Sequence, residues 1–199
     1  QHVLLFPSFE AMTRVMDEAD RYGTPILRAL EPRSENAMSR DRYQRQLCLK
    51  VDAVTRLVGP RMIRSVACTG SDPYLRTGTD LAVLFEASSV EPLVAYLHAQ
   101  QAAAAEADDR AERSSGRIRG VAYQAVRRPD RRISSYVAVL DSIVVVTNSP
   151  AQLERIIAVH QGEAPSLASL DEYTFFRDRY PREAEEEAGL LILSDAAIR

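Results

Sequence analysis

"IRGVAYQAVRRPDRRISSYVAVLDSIVVVTN", Ile118 to Asn148, is the stretch that decides the fold. Three runs rich in β-branched and aromatic residues, "IRGVAYQAV", "ISSYVAVL" and "SIVVVTN", are separated by two turn signals, Pro129-Asp130 inside "RRPDRR" and Asp141-Ser142. Links this short can join only antiparallel neighbours. The stretch is therefore a three-strand meander.

On its C-terminal side, "SPAQLERIIAVHQG" reads as a helix. Ser149 and Gln152 have capping-box spacing, Pro150 stands at the first helical position, Leu153, Ile156 and Ile157 form the apolar stripe, and Gly162 ends it. "SLDEYTFFRDRYP" repeats the S-x-x-E pattern at Ser169 and Glu172, which predicts a short helix stopped by Pro181, its aromatic residues Tyr173, Phe175, Phe176 and Tyr180 docked on the core. "GLLILSD" reads as a buried strand.

On the N-terminal side, "MIRSVACT" and "DLAVLFEA" are strands, the second apolar on both faces and so central in a sheet. Ser89 begins a helix with Val90, Leu93, Val94 and Leu97 on its buried side, which the Ala-rich "HAQQAAAAEADDRAERSSG" is expected to prolong almost to Gly116. "HVLLFP" is a first strand, after which Ser8 caps a helix running to Gly23. "DRYQRQLCLKVDAVTRLVGP" has helical periodicity with a break near Leu49 and a stop at Gly59-Pro60. "TPILRALEPRSENAMSR" between them reads as one helical turn and an exposed loop.

The sum is an α+β domain: a mainly antiparallel twisted sheet of about seven strands with helices packed mostly on one face. Residues 1–199 are expected to form a single domain, divisible into a helical part, 1–60, and a sheet-containing core, 61–199, and belonging to a longer protein. A content of 46% hydrophobic and 27% charged residues is that of a folded globular protein. The net charge of −3 argues against general binding to nucleic acid. No apolar run approaches the roughly 18 residues of a membrane span. The two cysteines, Cys48 and Cys68, make no paired motif and read as small buried hydrophobes.

Two stretches invite a chemical reading. In "VACTGSDPYLRTGTDLAVLFE", Gly70-Ser71 after a strand and Asp80 before an apolar run are spaced like the phosphate-and-metal loop of a nucleotidyltransferase. That chemistry needs two carboxylates one residue apart to hold a divalent metal, and Gly78 and Ala82 occupy the positions flanking Asp80. The plainer reading is a hairpin loop turned by Asp72-Pro73 and Gly78; the alternative is a degenerate domain that binds nucleotide through Gly70, Ser71 and Asp80. The second stretch gathers Arg127, Arg128, Arg131 and Arg132 around one hairpin tip, with Arg117 and Arg119 at the other end of the strand. It is a candidate anion or partner patch, with Asp130 offsetting part of its charge.

The three histidines, His2, His98 and His160, share no metal-ligand spacing, and no nucleophile, Walker or dinucleotide motif is present. No metal, cofactor or catalytic residue is therefore expected.

From "GVAYQAV" to Pro181 the order of pieces resembles the later part of a large, uncharacterised bacterial domain family of presumed envelope or secreted proteins. The likeness rests on a strand ending in Asn148-Ser149, a helix, then Ser166-Leu167-Ala168 leading to an aromatic helix at Tyr173 to Phe176. It covers about half the chain and implies an extracytoplasmic, non-enzymatic role. The expectation is a scaffold or interaction domain with a protein partner.

Overall fold

The computed structural model describes residues 2–23, 39–71, 79–181 and 187–193. Eight strands form one antiparallel sheet: β1 (His2–Phe6), β2 (Ile63–Gly70), β3 (Leu81–Ala87), β4 (Glu112–Ile118), β5 (Val121–Arg127), β6 (Ser134–Leu140), β7 (Ile143–Thr147) and β8 (Leu190–Leu193). Their order across the sheet is β4-β5-β6-β7-β3-β2-β1-β8. Among the described residues six α-helices accompany them: α1 (Phe9–Glu18), α2 (Ser39–Leu47), α3 (Ala53–Met62), α4 (Val90–Glu106), α5 (Pro150–His160) and α6 (Asp171–Arg179). The α+β class and the antiparallel sheet are as the sequence predicts.

The strand missing from the sequence reading is β4. Its sequence, "ERSSGRI", looks like the frayed end of an Ala-rich helix, but α4 ends at Glu106 and the chain returns as a polar edge strand. "IRGVAYQAV" is accordingly not one strand. Arg119 and Gly120, with φ of 50° and 83°, turn β4 into β5. A two-residue hairpin loop with both central residues in the left-handed region matches the twist of the strands it joins.

The two predicted hairpin turns stand where expected. Arg131 N–H donates to the Arg128 carbonyl at 2.9 Å around Pro129-Asp130, and Asp141, with φ 54°, carries β6 into β7.

Alternation places Val66, Cys68, Val83, Phe85, Val144, Val146 and Val137 on one face of the sheet, and Ala67, Leu84, Val145, Tyr136 and Ala138 on the other. Helices α1 to α4 pack on the first face, where Phe9, Met12, Leu47, Leu93 and Leu97 complete the core. Helix α5 covers the second, with Leu153 and Ile157 fully buried against Val145 and Leu140. Because β3 and β7 are covered on both sides, "VVV" in β7 is continuous rather than alternating.

Ser8 caps α1 by accepting from Ala11 N–H at 3.0 Å, and a π-helical turn, Ala19–Gly23, prolongs it to the predicted end. The expected break after α2 falls at Cys48, whose φ is 55°, and Asp52 then caps α3 by accepting from Thr55 N–H at 2.8 Å. That bond, with the Thr55 hydroxyl beside it, holds the Asp52 carboxyl below the usual range.

Four local expectations are corrected. Gly59-Pro60 does not stop α3. Pro60 lies in its last turn, where the lost N–H forfeits one bond, and Ile63 N–H still donates to the Gly59 carbonyl. Ser169 does not cap α6; its hydroxyl donates instead to Ser166 at the end of a 3-10 turn, Leu167–Ser169. Of the aromatic residues around α6 only Tyr173 is buried, while Phe175, Phe176 and Tyr180 face outward. Strand β8 is likewise not buried but an edge strand, with Leu191 and Leu193 exposed. Residues 24–38 of the predicted loop before α2 lie outside the described residues.

Gly59 is required by close approach, because a methyl group there would stand 2.5 Å from the Phe9 ring. Gly59→Ala is expected to lower stability by about 1–3 kcal/mol through overpacking. Urea unfolding checks this, and an unchanged midpoint would show that the ring swings aside.

Candidate functional site

The sequence candidates converge at one end of the sheet. The start of β3 supplies Asp80, the end of β5 and its turn supply Arg127, Arg128 and Arg131, and the end of β7 supplies Asn148 and Ser149. With Glu112 and Tyr136 these line a cleft of about 510 Å³ beside the N-terminus of α5. Two stretches that look independent in the sequence thus share one concavity, because β7 lies between β6 and β3.

The arginines differ in what they already hold. Arg128 is largely buried, with its guanidinium 3.3 Å from the Asp108 carboxylate and 3.2 Å from that of Asp130. It closes the hairpin onto the loop after α4. Arg131 donates to the Asn148 carbonyl at 3.4 Å, and its own carbonyl accepts from Gln46 Nε2 at 2.9 Å. Arg132 points away into solvent and pairs with Asp130 at 3.4 Å. Arg127 is exposed, lies opposite Glu112 in the β4–β5 register, and has no side-chain hydrogen bond or ion pair among the described residues. Arg117 and Arg119 lie at the far end of the hairpin; there Arg119 is tied to Gln161 and Glu163 beside the C-terminus of α5.

Asn148 is the hub of the cleft floor. It is 1% exposed; its Oδ1 accepts from Leu81 N–H at 2.8 Å, and its Nδ2 donates to the Thr79 carbonyl at 2.9 Å and to Gln46 Oε1 at 3.0 Å. Ser134 Oγ donates to the Asn148 carbonyl at 2.8 Å. Ser149 Oγ accepts from Gln152 N–H at 3.4 Å and so caps α5. The Asn-Ser pair is explained by these bonds without a ligand.

The other half of the nucleotide motif is built as a strand end. Gly70 pairs with Leu81, and Ser71 N–H donates to the Asp80 carbonyl at 3.2 Å, so that amide is already engaged. A Cβ on Gly70 would stand 2.6 Å from the His2 ring, which accounts for the glycine by packing. Asp72, Pro73 and Gly78 lie outside the described residues. β2 and β3 pair antiparallel up to both ends of this connection, so the ladder itself provides no helix N-terminus for a phosphate beside Ser71.

Among the described residues no group of three His, Cys, Asp or Glu side chains is placed to hold a metal, and no helix is long and apolar enough to cross a membrane. Burial pushes the Cys48 thiol up to about 11 and that of Cys68 up to about 12, so neither is an activated nucleophile at neutral pH. His98 is lowered by burial and by Arg113 nearby.

No family model, curated protein or solved structure matches this chain. The functional reading rests on the cleft.

The sequence supplied Asp80, Arg127, Arg128 and Arg131 but not Glu112, Tyr136 or Asn148 as their neighbours. Glu112 was hidden with the whole of β4. The Asn-Ser before a helix was visible as a cap signal, but nothing local to it shows that its side chain would reach across to β3.

Proposed function

We propose that this is a non-enzymatic interaction domain, and that the strand-end cleft receives an acidic group of a protein partner. The observation that carries the reading is Arg127: a guanidinium with no hydrogen bond or ion pair among the described residues, on the wall of a concave site beside Arg131 and a helix N-terminus. Arg131, in the turn after β5, is anchored by its bond to the Asn148 carbonyl, and Arg127 ends β5 beside it, so two guanidiniums are presented to one docking carboxylate. Asp80 and Glu112 in the same lining oppose a polyanion, which favours a single carboxylate over a nucleic-acid backbone. The pattern likeness of the C-terminal half to envelope and secreted proteins supports a non-catalytic role of this kind.

A backbone-amide NMR titration with a capped hexapeptide that carries a single glutamate among neutral residues tests the reading. Shifts are expected at Arg127, Arg131 and the first turn of α5, with affinity falling about tenfold in Arg127→Gln. Unchanged spectra, or binding that ignores the substitution, would remove it. Magnesium-ATP is the comparison ligand. Saturable shifts centred on Ser71 and Asp80 would favour the nucleotide-binding alternative instead.

A further inference from the structure

We propose a second binding site, remote from the cleft: a cavity under helices α1 to α4 that takes the tail of a medium-chain carboxylic acid. The cavity is about 210 Å³ and lies between these helices and the first face of the sheet, with Cys68, Val83 and Phe85 as floor and Leu93 and Leu97 on one wall. Native interiors rarely keep voids larger than a water molecule, and an apolar cavity of about 150 Å³ is known to stay dry and bind benzene. On that scale this cavity holds about eight carbon-sized atoms.

Three of the four methionines of the chain, Met12, Met16 and Met62, line it. Their unbranched thioethers adapt to a guest, a property that recurs at binding surfaces for apolar ligands.

The cavity surface itself is almost wholly apolar, so the head of the guest belongs at its rim, beside the exposed Lys50 and the polar ends of the other lining side chains. Thr55 Oγ1 and Tyr96 OH satisfy each other at 2.7 Å, and Thr55 Oγ1 also donates to the Lys50 carbonyl at 3.0 Å. By contrast, Gln44 Nε2 is buried and finds no hydrogen-bond partner among the described residues. A buried amide donor left open is unfavourable unless an acceptor arrives. Lys50, the only lysine of the chain, also lines the cavity together with Arg40, and none of the described residues lining it is Asp or Glu. Arg40 pairs with Asp20, which leaves the Lys50 ammonium for an incoming anion. An acceptor-only, negatively charged head on an apolar tail meets all three conditions, and octanoate would place seven carbons in the cavity with its carboxylate at Gln44 and Lys50.

Calorimetry with octanoate and with 1-octanol, combined with NMR of methionine methyl groups, tests the proposal. Octanoate is expected to bind one to one with a dissociation constant on the order of 10–100 µM, from the transfer of about seven apolar carbons. It should shift the methyl signals of Met12, Met16 and Met62 and bind about tenfold more tightly than 1-octanol. Lys50→Gln should erase that preference while tail binding persists, and Leu97→Phe, which fills the cavity, should abolish both. Should Leu97→Phe fail to fold, Gln44→Leu replaces it and must weaken octanoate by at least threefold. Equal affinity for acid and alcohol in the native protein, no saturable binding at 10 mM octanoate (roughly a hundred times the expected constant), or a preference unaltered by Lys50→Gln and Gln44→Leu overturns it.

Discussion

Replacing Asn148 by leucine is expected to destabilise the fold by about 3–5 kcal/mol. The two side chains are close in size, so the change leaves no large void, and the loss isolates the hydrogen bonds. The β3–β7 ladder runs from Glu86–Ile143 to Ala82–Thr147. One residue further on, the carboxamide of Asn148 stands in for a strand, taking both Leu81 N–H and the Thr79 carbonyl, while its second amide proton goes to Gln46. Leucine would leave these groups without that partner at a site that is 1% exposed, and each buried polar group left unmet costs about 1–3 kcal/mol. Urea unfolding of Asn148→Leu beside Asn148→Ala measures the effect. A loss below about 1 kcal/mol in both variants would mean that water replaces the carboxamide.

Alkaline unfolding is the second large effect. Burial raises the Cys48 thiol from 9.0 to about 11 and the Cys68 thiol from 9.0 to about 12. In the unfolded chain both ionise near their ordinary value. A group whose folded pKa is raised contributes stability that is complete below the unfolded value and is lost as pH climbs toward the folded one. The window is therefore pH 9 to between 11 and 12. Each unit within it removes about 1.4 kcal/mol per thiol, so at pH 11 the pair accounts for about 5 kcal/mol. The native chain and a Cys48→Ala/Cys68→Ala variant should have stability curves that diverge below pH 9 by a constant and converge above it. Parallel curves through pH 11 would show that the thiols ionise without unfolding the protein.

How far the sequence carried the fold can be read from particular residues. Ser8, Ser149, Pro129-Asp130, Asp141 and Gly162 act through bonds and dihedrals within a few residues of themselves, and each punctuates the structure where its chemistry says it should. The failures are those in which distant chain overrides local preference. "ERSSGRI" has no apolar face to announce a strand, yet the edge of β5 offers its backbone partners. Arg119 must adopt a left-handed φ that only its glycine neighbour hints at. Pro60 is tolerated because it lies in the last turn of α3, where Ile63 N–H still reaches the Gly59 carbonyl. For the candidate site, the arginines were legible as charge, but which of them are engaged depends on Asp108 and Asn148, residues brought near by pairings that no short window contains.

The position of β1 has a consequence for how the molecule assembles. The meander β5-β6-β7 needs only adjacent hairpins, and β2-β3 closes across a short connection, so both units lose little chain entropy on forming. Strand β1 joins β2 along five residue pairs, but its other edge waits for β8, whose Leu193 pairs with His2 across nearly the whole length of the chain. Pairings of low sequence separation are expected to form before this clasp, an order that pulse-labelled hydrogen exchange during refolding checks. Being short, at the rim and exposed on one side, β8 is also the strand whose amides should exchange with solvent soonest. The sheet is therefore expected to mature from its middle outward, its last seam being the one that ties β1 to β8.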